Sequence, residues 1–374
     1  MIKMFYGPKN EFDKILPEKI RPKSLSQLVI DSDGSKRNFS LVLPDDENKS
    51  KTRRNRRKKS KVSNLVASTE EYSMVTEAAI SSFITILEEY DIENIYLQNP
   101  PEIIKNQILK YYSDVDIENT TYKSLNIDTL YEIAEEFDKN IVGQKEVKKR
   151  ILGNLYFTSK HYRKKPVVLM FYGPTGVGKT ETAKFLSKKL GGNLFRKQFS
   201  MYHNNEFSDY VFGAKHNQPS LTKDLLERES NVILFDEFDK PNPVFFSAFY
   251  QMFDEGLFVD KNYHVNLEGS IIICTSNFKS ENDIRKTLGD AIFSRFDDFI
   301  QFEDLSEEAS KFIIYKKIDE IIGKLDEEDK KIIRNSKLLD LILGNASKLK
   351  NARHIHKFIT HAISNTIVQE KILK

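Results

Sequence analysis

Gly173-Pro174-Thr175-Gly176-Val177-Gly178-Lys179-Thr180 decides the fold. It follows the apolar run Val167-Val168-Leu169-Met170-Phe171 and opens a helical pattern that continues to Leu190. An apolar run of this length, bounded by turn residues, reads as a strand buried on both faces of a parallel sheet. A glycine-rich turn between such a strand and a helix aims backbone N–H groups at one point, where the helix start adds partial positive charge. An anion, most simply a nucleoside triphosphate, belongs at that point. Lys179 then reaches the β- and γ-phosphates, and the Thr180 hydroxyl sits on Mg²⁺. The same letters in an isolated glycine-rich turn would mean little; the strand before them and the helix after them give them weight.

Working outward, four more apolar runs alternate with helical patterns: Leu194–Phe199, Val232–Phe235, Ser270–Thr275 and Phe299–Phe302. Strands alternating with helices imply a parallel sheet covered on both faces. Gly191-Gly192 closes the helix after the phosphate loop, and Asn242-Pro243 opens another that runs to about Glu255. Leu257–Asn266 reads as a hairpin. After Leu305 the pattern turns wholly helical, in four segments ending at Lys374. Val232-Ile233-Leu234-Phe235-Asp236-Glu237 is the second strong signal. Two acids end a buried strand at the edge where open α/β sheets bind ligands. Asp236 suits the Mg²⁺ shell, and Glu237 suits the base that polarises an attacking water. Acids often end strands, so this motif draws its force from following the phosphate loop.

From Asn140 to about Arg353 the chain resembles the AAA+ ATPases, and within them the Clp-type unfoldase and chaperone clade. Ile141-Val142-Gly143-Gln144 is similar to the segment that lines the adenine pocket in that family, which implies Ile141 and Val142 as base contacts. Gly173–Thr180 and Val232–Glu237 match the Walker A and Walker B motifs. The resemblance implies that Gly173, Pro174, Thr175, Gly176, Val177, Gly178, Lys179 and Thr180 bind nucleotide. Ile271–Asn277 resembles the sensor 1 strand, with Asn277 orienting water or γ-phosphate. Phe293-Ser294-Arg295-Phe296-Asp297 resembles the box that carries the arginine finger, on Arg295. Asn351-Ala352-Arg353 resembles the sensor 2 triplet, with asparagine in place of its first glycine and Arg353 reaching the nucleotide. A finger supplied by a neighbour implies a ring, expected to be a hexamer. One departure is large. Where the family places an aromatic gripping loop, this chain has Tyr210-Val211-Phe212-Gly213-Ala214-Lys215-His216-Asn217-Gln218-Pro219-Ser220-Leu221, which is shorter and lacks the loop aromatic. No tripeptide of the kind that docks a protease is seen.

The expected organisation is a small β-containing segment at 1–48, a basic disordered linker at 49–64, and a small helical or α/β region at 65–127. An α/β nucleotide-binding domain follows at 128–304 and a helical lid at 305–374. Within 1–48, Leu25–Ile30 and Phe39–Leu43 read as a hairpin around Asp31-Ser32-Asp33-Gly34. Ser68–Tyr90 reads as one helix, Asn94–Leu97 as a short strand, and Pro100–Tyr112 as another helix. The fold class is therefore a P-loop parallel sheet covered by helices, with a C-terminal helical lobe and a small N-terminal α+β region.

Composition sets the outer limits. The chain has 374 residues, 39% hydrophobic and 30% charged, with a net charge of +3. No apolar run approaches a membrane span, no secretory leader is seen, and the single Cys274 fits a reducing cytoplasm. Residues 1–64 carry 17 Lys/Arg against 8 Asp/Glu, and Lys49–Lys61 holds nine Lys/Arg and no acid. That run reads as a solvated linker or as a nucleic-acid contact, the latter weakened by the lack of interleaved aromatics. The expectation is a Mg²⁺-dependent ATPase that remodels a protein partner. The alternatives are a nucleic-acid-associated helper ATPase using the basic run, and a slow nucleotide-dependent assembly switch.

Overall fold

The computed structural model describes residues 1–17, 21–37, 59–202 and 204–373. Its strands, in chain order, are β1 (Ile2–Tyr6), β2 (Lys23–Ser24), β3 (Ser60–Ala67), β4 (Tyr90–Gln98), β5 (Asp116–Asn119), β6 (Val167–Tyr172), β7 (Phe195–Gln198), β8 (Val232–Asp236), β9 (Leu257–Val259), β10 (His264–Asn266), β11 (Ile271–Thr275) and β12 (Asp298–Gln301). The chain divides into two compact units. One comprises Met1–Thr121, Asn205–Glu229 and Phe258–Asn266; the other comprises Tyr122–Asn204, Ser230–Leu257 and Leu267–Lys374.

The second unit holds a five-stranded sheet in the order β12-β6-β11-β8-β7, parallel throughout. Every residue of β6, β8 and β11 is buried, which is why their sequences are continuous apolar runs with no alternation. On one side Ile133 and Phe137 of helix Ile127–Asn140, Ile151 and Leu155 of helix Lys145–Ser159, and Ala183 and Leu186 of helix Lys179–Leu190 share a core with Leu169, Phe171, Leu234 and Ile273. A second group of rings gathers on Phe238, with Phe246 at 5.0 Å, Phe249 at 5.3 Å and Phe253 and Phe296 at 6.1 Å between centroids. The helix expected from Asn242 begins as a 3-10 turn, Pro243–Phe249, and continues as Tyr250–Glu255. The helical lobe packs Ile314, Ile318, Ile333, Ile355 and Ile359 together. The side chains of Ser306, Asp326 and Asn351 cap three of its helices by accepting from N–H groups of the first turn.

The first unit differs from the small α+β region expected of it. Its sheet is five-stranded, in the order β2-β3-β4-β1-β5, and all its pairs are parallel. The hairpin expected over Leu25–Ile30 and Phe39–Leu43 does not form: Leu25–Arg37 is a helix. Leu25, Leu28 and Ser32 are buried at helical spacing, and that packing outweighs the turn chemistry of Asp31–Gly34. Phe39–Leu43 lies outside the described residues, as does Lys49–Lys58 of the basic run. The boundary drawn at residue 64 falls inside β3, which pairs with β4 along its length. The single helix expected over Ser68–Tyr90 is three short ones, Thr69–Ser73, Glu77–Ser81 and Phe83–Glu88. Thr76 restarts the chain by accepting from Ala79 N. Two segments from within the stretch expected as nucleotide-binding domain, Asn205–Glu229 and Phe258–Asn266, also belong to this unit. No helix of the described residues is long and apolar enough to cross a membrane.

Candidate functional site

β6 lies between β11 and β12, so the chain leaving it emerges at the carboxyl edge of the sheet, near the ends of β8 and β11. Glycine is required at the exit. A Cβ on Gly173 would meet Phe302 O at 2.2 Å, and φ there is +126°. Gly178, at φ +111°, turns the chain into helix Lys179–Leu190. Around this loop lies a cavity of about 510 Å³. Thr175, Gly176, Gly178, Lys179, Thr180, Asp236, Glu237, Asn277 and Arg353 line it, so most of the residues expected to carry the chemistry meet in one place.

The Lys179 ammonium is held by three acceptors: Gly173 O at 2.5 Å, Pro174 O at 2.8 Å and Asn277 Oδ1 at 3.2 Å. Burial drives its pKa down from 10.5 to about 8, with Asp236 and Asp239 opposing the shift. Asp236 is 9% exposed, accepts the Thr275 hydroxyl on Oδ1 and pairs with Arg196 at 2.5 Å through Oδ2. Glu237 takes a left-handed φ of 57°, unusual for a residue with a side chain. Its N–H donates to Thr275 Oγ1 at 3.0 Å, and its Oε2 accepts from Gln198 Nε2 at 3.1 Å. Thr180 and Asp236 thus offer one hydroxyl and one carboxylate. That donor set fits a hard, largely hydrated cation leaning on nucleotide phosphates, as Mg²⁺ does. Among the described residues, no cluster of three or more His, Cys, Asp or Glu forms a metal site of its own.

Ile141 and Val142 line an adjoining, more apolar cavity of about 240 Å³, together with Val177, Leu305, Ile313 and Ala352. Gln144 secures this corner. Its Nε2 donates to Glu303 O at 2.9 Å, and its Oε1 accepts from Glu303 N at 3.3 Å. The helical lobe meets the phosphate loop directly. Ala352 N donates to Gly176 O at 2.9 Å, and Asn351 Nδ2 donates to Thr175 O. The asparagine that departs from the expected sensor 2 triplet is therefore both a helix cap and a clasp on the loop.

Gly173 and Pro174 line neither cavity, and Arg295 is engaged elsewhere. Its Nε donates to Asp254 Oδ2 at 2.8 Å, and its guanidinium lies 4.1 Å from the Tyr250 ring centroid. Among the polar lining residues that the sequence did not single out, Arg196, Gln198 and Thr275 bond Asp236 or Glu237 directly. Only strand pairing shows them, since Gln198 lies opposite Asp236 across β7 and β8.

The segment that stands in place of the gripping loop is in the first unit, and there it is tied down. Phe212 O accepts from Lys261 N at 3.1 Å, Ala214 O from Asn262 Nδ2 at 3.1 Å, and His216 Nε2 bonds Val75 O at 2.9 Å. Tyr210 is buried, and its hydroxyl donates to Asp224 at 2.5 Å.

Comparison with known proteins agrees with this geometry. Residues 164–328 match the family model of the AAA domain (Cdc48 subfamily). The chain is similar to the chaperone protein ClpB of Malacoplasma penetrans, 27% identical over 318 residues that cover 76% of this chain and 44% of the relative. It is also similar to the ATP-dependent Clp protease ATP-binding subunit ClpL of Staphylococcus aureus, 33% identical over 181 residues that cover 42% of this chain and 26% of the relative. The chain therefore spans less than half the length of these curated relatives. Among solved structures it resembles the closed-state cryo-EM reconstruction of Hsp104 with ATPγS and FITC casein. The TM-score is 0.54 at 17% identity, over 83% of this chain and 60% of that one, a likeness of fold.

Proposed function

We propose that this chain, similar in its core to the AAA domain family and to ClpB and ClpL, hydrolyses ATP to ADP and phosphate and couples turnover to remodelling a protein partner, as a ring. The observation that carries the reading is the convergence of Lys179, Asp236, Glu237 and Asn277 on one cavity at the phosphate loop. The Lys179 ammonium neutralises the β- and γ-phosphates, and the backbone of Gly173–Gly178 cradles them. Glu237 accepts the proton of the attacking water, whose oxygen bonds the γ-phosphorus as ADP leaves. Asn277 orients that water, and Arg353 contacts the nucleotide from the lobe. Thr180 and Asp236 would hold Mg²⁺, which supplies neutralisation of the phosphate oxygens. Ile141 and Val142 receive the adenine.

Arg295 acts in a neighbouring copy. Its absence from the lining of its own cavity supports this, since within one chain it is engaged by Asp254 and Tyr250. The tethering of Phe212–His216 supports a mode of remodelling that does not grip a threaded polypeptide through this segment. The test is the full chain with Glu237→Gln. It should bind ATP, fail to hydrolyse it and retain both assembly and partner. Wild-type turnover in that variant would remove Glu237 from its role, and an absence of ATPase activity in the unmodified chain would overturn the reading.

A further inference from the structure

The two sheets share more than their type. Read from the same edge, one is β12-β6-β11-β8-β7 and the other β5-β1-β4-β3-β2, so the fifth, first, fourth, third and second strands of each sheet follow one another in the same order. The registers correspond. Lys3 pairs with Asp116 as Leu169 pairs with Asp298, and Phe5 pairs with Gln98 as Phe171 pairs with Thr275. Thr120 N donates to Tyr6 O at 2.8 Å, and Phe302 N donates to Tyr172 O at 2.8 Å. Met4-Phe5-Tyr6-Gly7-Pro8 recurs letter for letter as Met170-Phe171-Tyr172-Gly173-Pro174.

Along that register the nucleotide chemistry is missing from the first unit. Nothing corresponds to Thr175–Gly178, because Pro8 leads straight into helix Lys9–Ile15. Ala67 pairs with Leu97 as Phe235 pairs with Cys274, which puts Ser68-Thr69 in the places of Asp236-Glu237 and Gln98-Asn99 in those of Thr275-Ser276. These polar residues converge on a carboxylate instead. Glu227 Oε1 accepts from Thr69 Oγ1 at 2.5 Å, Gln98 Nε2 at 2.8 Å and Asn99 Nδ2 at 3.0 Å, and Oε2 accepts from Lys9 N at 3.0 Å. Gln98 and Asn99 are fully buried, and each also donates to Gly7 O at 3.0 Å, which fixes them to the turn after β1. Lys223 shares this pocket, as do the acids Glu70 and Asp224.

We propose that the first unit is a second copy of the P-loop sheet that has become a closed carboxylate pocket, with Glu227 seated where the other copy receives phosphate. The chain then carries one nucleotide site, not two, and the first unit is an anion site satisfied from within. Burial raises the Glu227 pKa, with hydrogen bonds from Thr69, Lys9 and Asn99 opposing, as for an acid taken out of water and held by donors.

Equilibrium binding of radiolabelled inorganic phosphate to the full chain tests this, in a Lys179→Ala background that weakens the other loop. Adding Glu227→Ala should create one new phosphate site per chain, absent from Lys179→Ala alone. Equal binding by the two variants, whether both bind or neither does, overturns the proposal. Counting ADP on the unmodified chain needs no variant and so survives any folding defect. One per chain is expected, and two would overturn the proposal. A count of none would strike the assignment of Gly173–Thr180, a separate failure, and the phosphate comparison would still decide this one.

Discussion

The buried ammonium of Lys179 makes a prediction with two opposite signs. Its pKa in the folded, nucleotide-free chain is about 8, against 10.5 in its ordinary state. The fold therefore penalises the charged form. The penalty is present in full below pH 8, fades as pH rises towards 10.5 and vanishes above it, because the unfolded chain binds the extra proton only in that window. At about 1.4 kcal/mol per tenfold change, the difference amounts to about 3 kcal/mol. Against it stand the hydrogen bonds to Gly173 O, Pro174 O and Asn277 Oδ1, each worth about 1 kcal/mol net. Lys179→Met should thus leave the stability of the nucleotide-free chain at pH 7 nearly unchanged, although it removes a lysine from the centre of a site. Relative to that variant, wild type should gain about 3 kcal/mol between pH 7 and pH 10.5.

Nucleotide binding runs the other way. A phosphate chain requires the ammonium, so binding re-protonates the lysine and weakens as pH climbs past 8. The affinity should fall about tenfold between pH 7 and pH 9, the loss that titration of a single proton at about 8 dictates. Fluorescent-ADP titration in metal-free buffer isolates this group from any cation. Lys179→Arg is the control, because a guanidinium stays charged throughout and its binding curve should be flat with pH. An affinity that is level or rising across that range in wild type would refute the reasoning, as would a Lys179→Met chain several kcal/mol less stable than wild type at pH 7.

Other outcomes follow from the same geometry. Glu237→Gln should keep nucleotide affinity within a few-fold while turnover falls by about 10² or more, read by phosphate release. Arg295→Ala should leave affinity unchanged and cut turnover by about 10³, since its guanidinium stands outside its own cavity; wild-type turnover would end the finger assignment. Gly173→Ala should cost more than about 3 kcal/mol in urea unfolding, because the new Cβ meets a backbone oxygen at 2.2 Å. Gly289→Ala, with φ +83° and nothing within 4 Å of the added Cβ, should cost only about 1 kcal/mol.

Legibility followed burial. β6, β8 and β11 are buried on both faces, so each was readable as an unbroken apolar run, and the phosphate loop was readable from its place between strand and helix. The first unit was opaque for the converse reason. Its edge strand β5, Asp116-Ile117-Glu118-Asn119, is exposed at every residue, and β2 is two residues long, so neither leaves a hydrophobic trace. Arg196, Gln198 and Thr275 were invisible because their role depends on partners about forty residues or more away, joined only by strand register. One signal was present and unused: the five-residue repeat at Met4–Pro8 and Met170–Pro174.

That repeat separates what the sheet needs from what phosphate needs. In both copies the glycine stands where the first strand leaves the sheet, against the residue that follows the fifth strand. A Cβ on Gly7 would fall 1.7 Å from Thr120 Oγ1, and one on Gly173 would fall 2.2 Å from Phe302 O. The close approach recurs whether or not a phosphate loop follows, so the fold by itself calls for the Gly-Pro pair at this turn. What distinguishes the nucleotide copy is Thr175-Gly176-Val177-Gly178-Lys179-Thr180, together with the acids at the end of β8. Lengthening the turn by those residues moves the helix start away from the strand and leaves room for an anion from solution. Without them, Pro8 enters its helix at once and the Lys9 N–H meets a carboxylate of the chain itself. On the proposed reading the same strand order leaves room for an external phosphate in one copy and holds an internal acid in the other, and the length of one turn separates the two.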